Sequence, residues 1–256
     1  MCPMKFRFQY VQGLQPEFIS SALPFGSSIH HSLAVLYQTL KDERTLLKKE
    51  ELQEVFSDRW DHEKQAQGDS VRMKAKESWD GLRDLGIEMM AAYWDFANEN
   101  GMTCPENVVC VEKIFSTDLV EGDLSIPFIG IIDLILKDSS RPNLYHIIDH
   151  KTAARRYDET KIVTDMQLTA YKWLLETSQS FLGGGAEFAL RWDVILKQKT
   201  GPQIEKYSTV RNLGNVENFL HTAKTILRAI DQEIFYPNPG WLCSDCGYKN
   251  FCEAWK

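Results

Sequence analysis

Apolar and charged residues alternate with helical spacing through the first part of the chain. Between Ser27 and Asn100, apolar residues recur three and four positions apart in a sequence rich in Leu, Ala, Glu and Lys and free of proline. The segments with this pattern are His31 to Asp42, Lys48 to His62 and Val71 to Asn100. We therefore predict a helical subdomain over residues 27–100.

Beyond Gly101 the pattern becomes typical of β-strands. Three segments rich in β-branched and aromatic residues follow one another, each bounded by turn residues. They are Val108 to Thr117, Phe128 to Lys137 and Leu144 to His150. Short turns between successive strands predict a meander.

The rest of the chain adds two helices and two strands. Val163 to Ser178 has helical spacing and the glycines Gly183 to Gly185 are predicted to end it. Glu187 to Gln198 and Gln203 to Val210 follow as strands, and Asn212 to Phe235 as a helix. This order predicts an α/β fold with a mixed β-sheet flanked by helices. We expect one domain over residues 1–256, with a sheet-bearing core at 101–211 and a C-terminal helix and tail at 212–256.

Composition and charge limit the classes of protein to consider. With 256 residues, 43% of them hydrophobic, the chain can bury a sizeable core. A formal net charge of −7 argues against a general polycation, so any DNA contact needs a local basic groove. No run approaches the roughly 20 apolar residues of a membrane span, and the first residues lack the apolar core of a secretory signal. We expect a cytoplasmic protein whose six cysteines are metal ligands or buried thiols.

Two carboxylates and a lysine form the most informative group. Asp133 lies within an apolar strand, where a carboxylate is costly unless it is paired or binds a metal. Strand alternation puts Asp149 and Lys151 on one face and His150 on the other. Hard divalent cations prefer carboxylate oxygens. The residues alone leave a plainer interpretation open, in which Asp133 caps a turn and Asp149 forms a salt bridge with Lys151.

The segments G-I-I-D, ending at Asp133, and I-I-D-H-K-T, around Lys151, resemble the PD-(D/E)XK nuclease superfamily. They are most similar to its RecB-type branch, which includes helicase-associated nuclease domains and CRISPR-associated RecB-like exonucleases. The resemblance implies a restriction-endonuclease-like core that binds Mg²⁺ or Mn²⁺ through His30, Asp133, Asp149 and the backbone of His150. It also implies that Lys151 acts beside the attacking water.

Two further motifs extend the resemblance on either side. Gly26 to His30 resembles an upstream motif with a helix-borne histidine ligand, although the neighbouring His31 leaves the register open. Gln167 and Tyr171 match a Q-x-x-x-Y motif that contacts DNA and supports the active site. Without the resemblance, the histidine would be a cap or core residue, Tyr171 a core aromatic and Gln167 a solvated polar residue.

The cysteines at the chain ends complete the resemblance. One lies at Cys2, and the others have the spacing Cys243-x2-Cys246-x5-Cys252. The resemblance implies a [4Fe-4S] cluster that joins the termini, while the ligand types alone also suit zinc. Glu112 matches an acid found in some relatives, but a solvent-facing strand glutamate is an equal alternative. The basic residues Arg155, Arg156 and Lys161 are either phosphate contacts or a solvated charge run.

These features predict a metal-dependent deoxyribonuclease, with exonuclease action on single-stranded or frayed DNA ends favoured over endonuclease action. The expected setting is DNA repair, recombination or CRISPR-associated processing, with helicase or CRISPR adaptation proteins as partners and no membrane. Two alternatives stay open. One is a catalytically silent module that binds DNA ends, and the other is a zinc-stapled structural protein with an accidental acid cluster.

Overall fold

The structure, a computed structural model, describes residues 2–122, 124–178, 182, 185–198 and 200–255. The helices are α1 (Pro3–Phe6), α2 (Ala22–Asp42), α3 (Lys49–Gln67), α4 (Trp79–Glu99), α5 (Glu159–Thr164), α6 (Gln167–Thr177), α7 (Leu213–Asp231) and α8 (Lys249–Ala254). The strands are β1 (Ile19–Ser20), β2 (Val71–Arg72), β3 (Val108–Glu121), β4 (Leu124–Lys137), β5 (Leu144–Ala153), β6 (Glu187–Leu196) and β7 (Gln203–Thr209). Among the described helices, none is long and apolar enough to cross a membrane.

Five strands form one sheet in the order β3-β4-β5-β6-β7. The pairs β3–β4, β4–β5 and β6–β7 are antiparallel, and β5–β6 is parallel. A parallel pair needs a long crossover connection, and helices α5 and α6 lie in the segment that joins β5 to β6. The predicted mixed sheet and its opening meander are confirmed.

Helices cover both faces of this sheet. On one face, Leu134 and Ile148 join the apolar core of helices α2, α3 and α4. On the other, Ile135 and Ile147 join a second core with helices α6 and α7. Neighbouring strand residues therefore enter different cores, which explains why the central strands are apolar at successive positions.

The β3–β4 hairpin is irregular at matching positions of its two strands. Ile132 and Ile135 both pack on the side of α6 and α7, although strict alternation would put residues three apart on opposite faces. On β3, Glu112 adopts a left-handed φ of 45°. Irregularities of this kind redirect side chains and occur beside active sites. The face that the hairpin presents therefore changes at Glu112 and Asp133.

Several predicted boundaries were wrong in the helical region. Helix α2 begins at Ala22, before the predicted segment. The helix can include Pro24 because this residue lies in the first turn, where a missing N–H is tolerated. The predicted helix from Val71 is also interrupted. Val71–Arg72 is strand β2, paired in parallel with β1, and α4 starts only after Ser78, whose side chain accepts the backbone N–H of Gly81.

The single helix predicted from Val163 to Ser178 is two helices. Helix α5 ends at Thr164, and Asp165 is extended before α6 begins at Gln167. The Asp165 carboxylate accepts the Gln167 backbone N–H at 2.9 Å, and this bond stabilises the first turn of the second helix. Helix α6 ends at Thr177, and Gly183 and Gly184, predicted to end it, lie outside the described residues. The last long helix stops at Asp231, before Phe235, and Glu233 has a left-handed φ of 53°.

Candidate active site

Asp149 and Lys151 lie on β5, the strand at the centre of the sheet, and their side chains meet as strand alternation predicts. Asp149 is completely buried, and the Lys151 Nζ lies 2.7 Å from its Oδ2. The ammonium group donates to that oxygen, and no second donor from the described residues reaches it. A buried carboxylate oxygen is costly unless a charged partner of this kind stabilises it.

Helix α6 supports the other oxygen of Asp149. Gln167 Nε2 donates to Asp149 Oδ1 at 2.7 Å, and the Tyr171 hydroxyl donates to the same oxygen at 3.3 Å. Gln167 Nε2 also lies 2.9 Å from the Tyr171 hydroxyl. Gly130 permits this helix to approach β4, because a Cβ there would lie 2.4 Å from Leu174 Cδ1. The structure thus joins Gln167 and Tyr171 to the carboxylate group.

Arg211, which the sequence pattern did not single out, holds the start of α6. Its buried guanidinium donates to the backbone carbonyls of Ile162, Val163 and Asp165 at 2.7–3.0 Å. These carbonyls lie at the break between α5 and α6, immediately before Gln167. The sequence around Arg211 does not indicate this role, because its partners are some 46–49 residues away along the chain.

Asp133 lies where the pairing between β4 and β5, which runs over Leu134–Lys137, comes to an end. Its Oδ2 accepts the backbone N–H of His150 at 2.7 Å. The side chain thus satisfies a β5 donor beyond the end of the paired segment. The same Oδ2 lies 3.3 Å from Nδ1 of His30, which helix α2 carries to the site. The exposed neighbour His31 lies beside Arg59 and Glu63 instead.

Three side chains from three different elements converge here. One ligand atom each of His30, Glu112 and Asp133 lies within 4.8 Å of the others. His30 Nδ1 is 4.0 Å from Glu112 Oε1. Glu112, an open alternative from its sequence, is brought into the group by the irregularity in β3. The left-handed backbone costs about 1–3 kcal/mol in a residue of this type, and such strain occurs at functional sites.

The site's ionisation differs between its carboxylates. Burial and the charge of Asp133 raise the pKa of Glu112, and burial raises that of Asp149 against the opposing effect of Lys151. Burial also acts to raise the pKa of Asp133, but hydrogen bonding to His30 and the nearby His150 bring it below its usual value. The pKa of His30 is raised despite its burial, because it hydrogen-bonds to Asp133.

This donor set fits a divalent cation. It combines the His30 imidazole nitrogen with carboxylate oxygens of Glu112 and Asp133 at close range, and the buried Asp149 carboxylate interacts electrostatically with His30 and Glu112. Mn²⁺ accepts both ligand types, and Mg²⁺ prefers the oxygens. His30, Glu112 and Asp133 are therefore the residues that would hold such an ion, with the Asp149 carboxylate as a charged neighbour.

The His150 side chain lies on the opposite side of β5 from Asp149 and Lys151. It is 2% exposed, and its Nε2 lies 2.8 Å from the Tyr93 hydroxyl. Burial lowers the pKa of His150 to about 3, so the imidazole is neutral at physiological pH. The resemblance assigned only the backbone of this residue to the site. Tyr93, to which the sequence pattern gave no role, is its polar partner.

Four of the six cysteines lie together at the meeting point of the two chain ends. Cys2, Cys246 and Cys252 pack against an apolar cluster of Met4, Phe8 and Tyr248, and Cys243 is exposed. The Asn238 N–H donates to Cys2 Sγ at 3.4 Å, and the Met4 N–H donates to the Tyr236 carbonyl.

The four thiols also interact electrostatically. Burial and then the charges of Cys2, Cys243 and Cys246 raise the pKa of Cys252. Backbone N–H groups lower the pKa of Cys2 against the effect of its burial. Four thiols near one another, three of them at partly buried positions, fit a thiolate-bound metal centre.

The basic residues after β5 form surface contacts. Arg156 pairs with Glu205 at 2.6 Å, and Lys161 lies 3.5 Å from Asp165 and over the Tyr157 ring. Arg155 is exposed. Contacts of this strength are readily exchanged at a protein surface, so both interpretations of these residues, phosphate contacts and a solvated run, stay open.

Comparisons with known proteins give the family. The family model of the PD-(D/E)XK nuclease superfamily matches residues 1–253. Among solved structures, SSO0001 has 13% sequence identity and a TM-score of 0.42, with 98% of this chain and 95% of that chain covered. A candidate exonuclease from Eubacterium rectale has 13% identity and a TM-score of 0.46, with 97% and 91% covered. At these TM-scores the two structures carry no argument about function, and no curated protein matches. The family match spans nearly the whole sequence, and the chain therefore belongs to the PD-(D/E)XK nuclease superfamily.

Proposed function

We propose that this chain is a metal-dependent deoxyribonuclease that hydrolyses DNA phosphodiester bonds at Asp133, Asp149 and Lys151. The single observation that carries the proposal is the convergence of His30, Glu112 and Asp133 on one point, with ligand atoms within 4.8 Å of one another. The buried Asp149–Lys151 pair on the adjacent strand adds a carboxylate and a cation to the same site. Membership of a nuclease superfamily supports the same chemistry.

Each side chain has a distinct part in the proposed reaction. A bound Mg²⁺ or Mn²⁺ would supply Lewis-acid activation of the phosphodiester. Lys151, whose side chain is 30% exposed, is placed to orient the attacking water and to offset negative charge in the transition state. Gln167 and Tyr171 hold Oδ1 of Asp149, which leaves Oδ2 directed toward Lys151. The His150 backbone N–H holds Asp133.

We further propose that the chain belongs to the RecB-type branch and acts as an exonuclease on single-stranded or frayed DNA ends. The order of the motifs supports this assignment, since His30 precedes the hairpin and the Gln167–Tyr171 pair follows it on α6. A helicase or CRISPR adaptation protein is the proposed partner in DNA repair, recombination or CRISPR-associated processing. We propose one nuclease domain over residues 1–256, with the helical region 27–100, the core 101–211 and the tail 212–256 as its parts.

A [4Fe-4S] cluster bound by Cys2, Cys243, Cys246 and Cys252 is proposed to join the chain ends. Three of these cysteines pack against one apolar cluster at the meeting point of the chain ends, and this arrangement supports a thiolate-bound centre there. Absorbance near 400 nm in anaerobically purified protein, with four iron atoms per chain, is expected.

A nuclease assay with end-labelled single-stranded DNA and Mn²⁺ tests the central proposal. Wild-type protein should shorten the DNA, and EDTA should block the reaction. Lys151→Ala and Asp149→Ala should abolish cleavage while the circular dichroism spectrum is unchanged. Lys224→Ala is the matched control, because this lysine pairs with Glu121 on the surface, away from the site. Retained cleavage in either site variant would contradict the assignment, and DNA binding without cleavage by wild type would favour the silent DNA-end-binding module.

A further inference from the structure

We infer that the His150 side chain is a positioning residue, which the Tyr93 hydroxyl holds in the tautomer that supports the Asp133 carboxylate. The inference rests on the proposed metal site and assigns a role to a buried pair behind it. Both side chains are essentially inaccessible to solvent, so neither can contact DNA. Their effect has to pass through Asp133.

The imidazole of His150 is enclosed by side chains from two helices. The ring of Tyr37, from α2, stacks on it with centroids 6.3 Å apart and planes at 13°. The ring of Tyr93, from α4, meets it edge to face at 5.4 Å and 81°. The two rings restrict the ring plane, and the hydrogen bond between Nε2 and the Tyr93 hydroxyl restricts its rotation.

The other ring nitrogen faces the metal-binding group. His150 Nδ1 lies 3.7 Å from Oδ2 of Asp133, the oxygen that also accepts the His150 backbone N–H. A lone pair directed at a carboxylate oxygen is repelled, whereas an N–H is attracted. The geometry therefore favours Nδ1–H with Nε2 as the acceptor from Tyr93, since the bond to one ring nitrogen decides which of the two is protonated.

The arrangement also ties the helical region to the metal site. Helix α2 carries both His30, at the site, and Tyr37, which stacks on His150. The rings of His30 and His150 are 6.4 Å apart. The proposed ligand His30 and the tyrosine that packs on His150 thus share one helix. A shift of His150 would therefore also disturb the spacing between His30 and Asp133.

Tyr93→Phe and Tyr37→Phe form a matched pair that separates positioning from packing. Each removes one buried hydroxyl and keeps the ring, and the two hydroxyls lie 3.1 Å apart in the same network. Only Tyr93 contacts His150 Nε2. We expect Tyr93→Phe to weaken Mn²⁺ binding by about tenfold, as for other residues that orient metal ligands, and Tyr37→Phe by less than about twofold. Calorimetric titration of the full-length protein with Mn²⁺ measures both, and thermal melts should shift to a similar extent in the two variants.

Two more measurements test the route of the effect. His150→Phe should weaken Mn²⁺ binding as Tyr93→Phe does, and the double variant should be no weaker than either single variant, because all three remove one interaction. Nitrogen NMR of labelled histidine should give the Nδ1–H tautomer for His150 in the wild type and a mixture in Tyr93→Phe.

The outcomes distinguish failure of the inference from failure of the proposed function. Equal Mn²⁺ affinities in Tyr93→Phe and Tyr37→Phe, or additive effects of Tyr93→Phe and His150→Phe, would overturn the positioning role and leave the nuclease assignment intact. If Asp133→Asn binds Mn²⁺ with the same affinity as the wild type, both the positioning role and the proposed function would be overturned.

Discussion

The two carboxylates of the site are held from opposite sides of the sheet and by different kinds of donor. Asp149 receives side-chain hydrogen bonds from Gln167 and Tyr171 on α6, and its second oxygen pairs with the Lys151 ammonium group. Asp133 receives a backbone N–H from β5 and lies beside an imidazole from α2.

The protein therefore destabilises the charged form of Asp149 and stabilises the charged form of Asp133. The pKa of Asp149 is raised because burial outweighs the effect of Lys151. The pKa of Asp133 is lowered because donors around it outweigh burial. A carboxylate whose charged form is destabilised by burial gains most from a cation. One whose charged form is already stabilised serves as the fixed part of the site. Asp133 is therefore the carboxylate that would fix the position of the ion, and Asp149 is the carboxylate whose charge the ion would stabilise most.

The largest expected effect comes from neutral isosteres at the two positions. Asp133→Asn and Asp149→Asn should each lower Mn²⁺-dependent cleavage by at least about 100-fold, since each removes a carboxylate from the proposed metal site. Their effects on the metal-free protein should have opposite signs. Asp149→Asn should raise the free energy of unfolding by about 1 kcal/mol because it removes a desolvated charge, and Asp133→Asn should lower it by a similar amount because it weakens two hydrogen bonds.

Urea unfolding after chelator treatment at pH 7 measures both stability changes. Asp80→Asn is the control, because the side chain of Asp80 is 90% exposed and lies 3.8 Å from Lys64. This control should change neither stability nor cleavage. Stability changes of the same sign at Asp133 and Asp149 would break the contrast between the two carboxylates.

The next effect in size concerns Arg211, which supports the α6 side. Arg211→Met removes a charged donor from three carbonyls at the α5–α6 break and should lower stability by about 3 kcal/mol. Cleavage should fall with it, because Gln167 follows the break directly. Arg228→Met is the matched control: Arg228 pairs with Glu121 at the surface, so the loss should stay below about 1 kcal/mol. Equal losses in denaturant melts of the two variants would contradict the role of Arg211.

What the sequence could predict of this site depends on the range of each interaction. Asp149 and Lys151 are two residues apart on a strand, so alternation alone predicts their contact, which the structure has. Gln167 and Tyr171 are one helical turn apart, so their shared face follows from periodicity. The meander that brings β4 beside β5 also follows from the short turns. These relations are local, and patterns report local relations.

The features that the pattern missed arise from contacts between distant segments or from irregular backbone. Glu112 enters the site through a left-handed φ within a strand, which alternation does not predict. The break between α5 and α6 depends on Arg211, and the support of His150 depends on Tyr93. The helix predicted from Val71 overlooked a two-residue strand that exists only because Ile19–Ser20 pairs with it. Each needs a partner whose identity only the fold determines.

Gln167→Leu should separate the effect on catalysis from the effect on metal affinity. It removes the 2.7 Å bond to Asp149 while leaving His30, Glu112 and Asp133 in place. We expect kcat to fall by about tenfold with little change in the Mn²⁺ concentration for half-maximal rate. His30→Ala should do the reverse, raising that concentration most. Metal titrations of the cleavage rate measure both, and a shared pattern in the two variants would show that the sides do not act separately.

The smallest expected effect is that of Tyr171→Phe. Its hydroxyl lies 3.3 Å from Asp149 Oδ1, longer than the Gln167 bond to the same atom, and the ring stays packed in the core beside Gly130. Removing the weaker of two donors should cost about 0.5 kcal/mol and lower kcat by about twofold. Gln167→Leu/Tyr171→Phe should then be only slightly worse than Gln167→Leu alone. If instead Tyr171→Phe lowers the rate as much as Gln167→Leu, the tyrosine hydroxyl would be the principal donor to Asp149, and the α6 side would act through the tyrosine.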